Sequence, residues 1–244
     1  MGFMALDCNM QVHCISPGKS RVVAKPILTR FVASIGFFFA IFLVGCQSLP
    51  PGDLHTIEAP SYSSRIGHVY LIRGWRDLWS SGIDRLAMEM RQDGLNAQAF
   101  RAAQWRELAD AIDRSHQSQD NPIVLIGFSY GADDAIEVSR RLHQPIDLLI
   151  AIDPVTPPIV PGNVRMCYDF YETNGFWDVF PWLRGIALNS DAKSNLVNID
   201  LRKQREDLIE SDTAHSNIAG NVKLHREIIK MVLAVCTLRA ATRP

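Results

Sequence analysis

Apolar and polar positions change rhythm several times along the chain. From Gly67 onward, short apolar runs alternate with stretches whose apolar residues recur every three or four positions. His68–Ile72 (HVYLI) is β-rich and predicts a buried strand. Gly82–Gln92 carries Ile83, Leu86, Ala87 and Met90 at helical spacing, and Asp93-Gly94 ends it. Asn96–Phe100 predicts a second strand, Trp105–Arg114 a helix, Ile123–Ile126 (IVLI) a strand, Gly131–Leu142 a helix and Leu148–Ile152 (LLIAI) another strand. Arg165–Tyr171 and Asn195–Leu201 are further strand candidates. Asn221–Cys236 predicts a closing helix, with Leu224, Ile228, Ile229 and Val232 on one side. Strands that are apolar throughout and alternate with helices predict an α/β domain. Its sheet is expected to be mostly parallel, with helices on both faces and right-handed crossovers.

The N-terminal region follows another pattern. Lys19, Arg21, Lys25 and Arg30 precede an apolar run, Phe31–Val44, and the chain turns polar at Gln47-Ser48. A basic stretch, a short apolar core and small residues at its end predict an export signal. The run is about 14 residues long, short of the ~20 that span a bilayer as a helix. An uncleaved signal anchor and a plain secretory signal are the alternatives, and Met10 is an alternative start to Met1. Leu43-Val44-Gly45-Cys46 resembles a bacterial lipobox, which is cleaved just before its cysteine. The resemblance implies that Cys46 is lipidated and anchors the protein to a membrane of the cell envelope, facing the periplasm. Which membrane is left open. Residues 1–45 are then a lipoprotein signal peptide. Residues 46–66, with Pro50, Pro51, Pro60 and several serines, read as a tether, and 67–244 as the domain.

Composition narrows the function classes. A chain of 244 residues supports one domain with a sizeable core. A net charge of −1 offers no basic surplus for nucleic acid. Cys167 and Cys236 are expected as inert buried thiols, a disulfide being the alternative in an oxidising compartment. The chain has no C-x-x-C, H-E-x-x-H, Walker loop or G-x-G-x-x-G, so no metal, nucleotide, flavin or other cofactor is expected. Nothing in the sequence indicates an oligomeric state.

The chemistry centres on Gly127-Phe128-Ser129-Tyr130-Gly131, a G-x-S-x-G between an apolar strand and a helix. A turn that sharp strains the serine backbone, the flanking glycines admit neighbouring backbone, and the helix N-terminus points its positive end at the serine. A structural turn with an idle serine is the alternative. Serine needs a base, and the base an orienting group. Three histidines follow Ser129. His143 lies some 20 Å away along the helix that follows the serine, and His225 falls inside the closing helix. His215 lies in a polar loop, SDTAHSNIAGN. Asp153 ends the strand next after the serine's, so its carboxylate is expected at the same sheet edge. Asp169, one strand later, and Asp200 are alternatives.

GFSYG after a strand resembles the nucleophile elbow of α/β-hydrolases, and HVYLIRGWRD their earlier strand and oxyanion loop; the resemblance covers nearly all of 67–236. Arg73 stands where many relatives have histidine. The resemblance implies the α/β-hydrolase fold, Ser129 as nucleophile, His215 as base, and the backbone amides of Tyr130 and Trp75 as the oxyanion hole. Some similar lipases keep the acid in an Asp-Pro like Asp153-Pro154; the commoner place is one strand later. The implied activity is that of a small lipase- or thioesterase-like serine hydrolase acting on an acyl ester or thioester. A hydrolase-like binding or scaffold protein without activity is the rival reading. Phe176, Trp177, Phe180 and Trp182 are candidates for an acyl-binding wall or lid, or for core packing.

Overall fold

The computed structural model describes residues 50–55, 57, 63–116, 121–173, 185–191 and 195–238. All of them belong to one unit, Gly45–Pro244. Cys46 and the aromatic segment from Phe176 to Trp182 lie outside the described residues.

Six strands form one sheet: β1 His68–Ile72, β2 Asn96–Phe100, β3 Ile123–Phe128, β4 Leu148–Ile152, β5 Cys167–Tyr171 and β6 Leu196–Asp200. Their order is β2-β1-β3-β4-β5-β6, and every pairing is parallel. The helices are α1 Ser81–Gln92, α2 Trp105–Ser115, α3 Tyr130–Arg141, the short α4 Leu201–Gln204 and α5 Val222–Val235.

The expected double-sided burial is met residue by residue. In β1, Val69 and Leu71 face one core and Tyr70 and Ile72 the other. In β3 and β4, Val124, Ile126, Leu148 and Ile150 alternate in the same way with Leu125 and Leu149. The first core takes Ile83, Leu86 and Met90 of α1 and Leu224, Ile228 and Val232 of α5. The second takes Leu108 and Ile112 of α2 and Ala132, Ala135 and Ile136 of α3. A parallel sheet of this kind needs both faces covered, because its crossovers place helices on both sides. The architecture is that of the α/β-hydrolase fold.

Several boundaries differ from the sequence pattern, for local reasons. β3 continues through Gly127 and Phe128, which pair with Ala151 and Ile152 of β4. The pattern of residue types stops at Ile126 only because glycine carries no apolar side chain. β6 ends at Asp200, whose side chain accepts from Arg202 N and starts α4. Asn221 lies just outside α5 and caps it, accepting from Lys223 N and Leu224 N. Part of the segment read as a tether packs on the domain. Gly52 N donates to Ala99 O at 2.7 Å, alongside the edge strand β2, and Ile57 is buried.

The chain leaves β1 toward β2, then returns past β1 to β3. Strands β1 and β3 are therefore neighbours whose connections depart in opposite directions. This is the switch point of an open α/β sheet, where a crevice forms beyond the C-terminal strand ends. The loop after β1 and the turn after β3 both open there.

Candidate active site

Ser129 occupies the sharp turn between β3 and α3, with φ 56° and ψ −130°. A side chain at such a φ costs roughly 1–3 kcal/mol, which the surroundings must hold. They do so by crowding. A Cβ on Gly127 would lie 2.1 Å from Gly131 O, and one on Gly131 would lie 2.2 Å from Arg73 O. Both flanking glycines are thus required by the close approach of backbone, and Ser129 N is tied to Ile152 O at 2.9 Å.

Asp153, immediately after β4, also has positive φ, 52°. Its backbone N donates to Phe170 O at 2.8 Å. The turn brings its carboxylate toward the loop that carries His215. His215 Nδ1 donates to Asp153 Oδ2 at 2.5 Å, and Ser129 Oγ donates to His215 Nε2 at 2.9 Å. A carboxylate accepts only, so it holds the proton on Nδ1 and leaves Nε2 free to accept from the hydroxyl. The residues Ser129, His215 and Asp153 are 6%, 4% and 0% exposed. Water is largely kept from the acid–base pair. The Phe128 ring packs against the imidazole at 5.3 Å, and Trp79 meets it edge-on at 6.2 Å.

The structure brings together Ser129, His215 and Asp153, and leaves the other candidates elsewhere. His143 is exposed and bonded to Asp113 at 2.6 Å. His225 is buried, bonded to Glu89 and to Ala219 O. Asp169 sits mid-strand opposite Ala151 and accepts from Leu188 N at 3.1 Å. Burial pushes its carboxyl well above the usual range. Asp200 caps α4 and accepts from Thr173 Oγ1 at 2.9 Å. Cys167 and Cys236 are buried free thiols, and burial raises Cys236 to about 12.

Tyr130 N is the first amide of α3, and the first amides of a helix have no acceptor within it. In the loop after β1, Gly74 N donates to Ser80 Oγ at 2.9 Å, which leaves the next amide, that of Trp75, as the oxyanion candidate in this loop. This loop is strained at Arg76, Asp77 and Trp79, all with positive φ. Together with Ser129 and Asp153, they make up all the non-glycine residues of positive φ among the described residues. Beneath the loop Arg73 is fully buried, with Nη2 2.7 Å from Asp84. Arg73 therefore carries an internal ion pair that braces the loop.

Three further residues support the site. Asp133 of α3 accepts from Val155 N, Thr156 N and Thr156 Oγ1, which ties the loop after Asp153 to the helix after Ser129. Glu172 N donates to the second oxygen of Asp153 at 3.1 Å, and the Glu172 carboxylate accepts from Arg202 Nε at 2.5 Å. Arg202 also donates to Thr213 O. Glu172 could have been suspected from its place at the end of β5; Arg202 lies thirty residues farther on, in an unremarkable LRKQR run.

A cleft of about 590 Å³ opens beside Tyr130, reaching the loop after β1 and the start of α2. That volume is within the range of small-molecule sites. Among the described residues no group of three or more potential metal ligands occurs.

No family model matches the chain, and no curated protein sequence does. Solved structures similar to it include an α/β serine hydrolase without a lid from Xanthomonas campestris. It is 14% identical, with a TM-score of 0.43, covering 75% of this chain and 88% of that one. An α/β serine hydrolase homologue from Coxiella burnetii is 13% identical, with a TM-score of 0.41, covering 71% and 88% respectively. One fold hosts many activities, so the chemistry rests on the site itself.

Proposed function

We propose that this chain is a serine hydrolase that cleaves a carboxylic ester or thioester through an acyl-enzyme on Ser129. The observation that carries the reading is the unbroken line of hydrogen bonds from Ser129 Oγ through His215 to Asp153, set on a strained turn at the start of α3. Ser129 Oγ attacks the acyl carbon while His215 Nε2 takes its proton. The negative charge of Asp153 stabilises the imidazolium. The amides of Tyr130 and Trp75 hold the developing oxyanion, helped by the positive end of α3. His215 then passes the proton to the departing alcohol or thiol. A water attacks the acyl-enzyme with the same base, and Ser129 regains its proton as the acid leaves.

A fluorophosphonate probe tests this directly, since it bonds to activated serines. The purified protein is expected to be labelled at Ser129. A folded protein that resists labelling, and hydrolyses none of a panel of aryl esters, would remove the reading.

Arg202 is a positioning residue in this scheme. It joins the Glu172 end of the acid to the Thr213 carbonyl, two residues before the base. Arg202→Lys keeps a cation beside Glu172 but lacks the fork that also reaches Thr213. It is expected to lower kcat roughly tenfold, as small misplacements of a base do, with KM little changed. Arg202→Met should cost more in both kcat and Tm, because Glu172 is then left buried without its partner. Equal kcat for wild type and Arg202→Lys would show that the link is structural only.

The reading extends to location. We propose that the chain is exported and lipidated at Cys46, which anchors the domain to the envelope on the periplasmic side. The support is the basic stretch, the apolar run and Leu43-Val44-Gly45-Cys46. Among the described residues no helix is long and apolar enough to cross a membrane. Two or more acyl chains would suffice for stable attachment. Cells expressing Cys46→Ala are expected to lose labelling by a clickable fatty acid. Undiminished labelling would refute the lipidation site.

A further inference from the structure

The cleft beside Tyr130 has a chemistry unlike that of a channel for a fatty chain. Its walls include Trp75 and Arg76 from the loop after β1, Trp105 and Arg106 at the start of α2, and Tyr130 and Asp134 of α3. Among the described residues its aliphatic lining is confined to Ala102 and Ala103, with no leucine, isoleucine, valine or methionine. Two guanidiniums lie over two indoles: Arg76 is 5.2 Å from the Trp75 ring centre, and Arg106 is 4.2 Å from the Trp105 ring centre. A guanidinium stacked in this way is held on the ring while its planar N–H edge remains available to an acceptor.

Three arginines and three aspartates line the cleft, and not all of them are paired. A third arginine, Arg101, is paired with Asp77 at 3.2 Å. Asp133 spends its oxygens on Val155 and Thr156. Burial raises Asp133 to about 6, and burial with the neighbouring Asp133 charge raises Asp134 to about 7 against the attraction of Arg106. Arg76 and Arg106 form no salt bridge with any carboxylate among the described residues. A straight alkyl chain laid here would strip water from two cations and return nothing, which is costly. A flat body bearing an anion would meet ring faces and cations together.

We infer that this cleft binds a planar group carrying a carboxylate or phosphate, as part of the ester or thioester whose carbonyl faces Ser129. The inference rests on Ser129 being the nucleophile. The anion sits either on the acyl side or on the leaving group, and both arrangements present the same chemistry to Arg76 and Arg106.

Two matched pairs of esters test it. In the acyl arm, 4-nitrophenyl 4-carboxybenzoate is compared with 4-nitrophenyl 4-methylbenzoate. In the leaving-group arm, 4-acetoxybenzoate is compared with phenyl acetate. In one arm the anionic member is expected to have a kcat/KM about tenfold or more above its neutral partner, as a charge-assisted hydrogen bond provides. The ratio should shrink with added salt, because the arginines are exposed. Arg76→Gln and Arg106→Gln should each lower the ratio severalfold, and the double variant should bring it near one. Labelling of Ser129 by a fluorophosphonate keeps the two claims apart. A labelled enzyme with a ratio of one or less in both arms, or a double variant that keeps the wild-type ratio, would overturn the cleft assignment alone. A folded protein with neither labelling nor hydrolysis would overturn both.

Discussion

Ser129→Ala is expected to lower ester hydrolysis by about 10⁴-fold or more while the protein stays folded. The size of the loss follows from the geometry. The hydroxyl is the one group that His215 Nε2 accepts from, and without it neither base nor acid has a reacting atom to serve. The residual rate would come from the oxyanion amides and from binding. Stability should change little. Alanine has the same Cβ at the same φ of 56°, so the backbone strain is unaltered, and only one side-chain hydrogen bond is lost. The measurement is steady-state turnover on an aryl ester beside a thermal melt. Near-normal turnover by the folded variant would rule out Ser129 as nucleophile.

Asp153→Asn should cost about 10⁴ in kcat, the loss seen when a triad acid is neutralised without change of shape. The amide offers its own N–H or a weaker acceptor where Nδ1 needs a carboxylate. The imidazole then favours a proton on Nε2, which faces the serine and cannot accept from it. The imidazolium also loses its stabilising charge. Asp169→Asn is the informative comparison. Asp169 is fully buried, its Oδ1 has no hydrogen-bond partner among the described residues, and burial pushes its carboxyl well above the usual range. Both nitrogens of His215 are engaged by Asp153 and Ser129, and Asp169 touches neither, so kcat should fall only slightly. Both melts accompany the rates, since Asp153 also accepts from Glu172 N and Asp169 from Leu188 N. Loss of activity in a folded Asp169→Asn, with Asp153→Asn active, would move the acid one strand later.

What the sequence determined by itself is local and repetitive. Apolar runs such as Leu148–Ile152 require burial on both faces, and amphipathic stretches such as Gly82–Gln92 supply the covering helices. A chain that alternates the two has few ways to fold other than as a parallel sheet. The elbow was legible for the same reason: strand, glycine, serine, glycine and helix follow one another within a few residues, and the glycines are dictated by the tight turn itself. His215 emerged from its polar loop together with the order of residues in the family it resembles.

The tertiary structure alone decided the rest, because the deciding contacts join distant parts of the chain. Asp153 and Asp200 lie at strand ends and Asp169 in mid-strand, and in the sequence nothing local separates them as candidate acids. The positive φ at Asp153 turns its carboxylate to His215, 62 residues away in sequence. Asp169 instead points into the sheet's packing, and Asp200 is used as a helix cap. The Arg202 link from Glu172 to Thr213, and the Arg73–Asp84 pair under the loop after β1, depend on which loops meet across the sheet edge. The same holds for the cleft, which draws on the loop after β1 and the starts of α2 and α3. Hydrophobic period is written into neighbouring residues and can be read along the chain. The direction of a buried polar side chain is set by packing partners tens of residues distant, and only the assembled sheet supplies them.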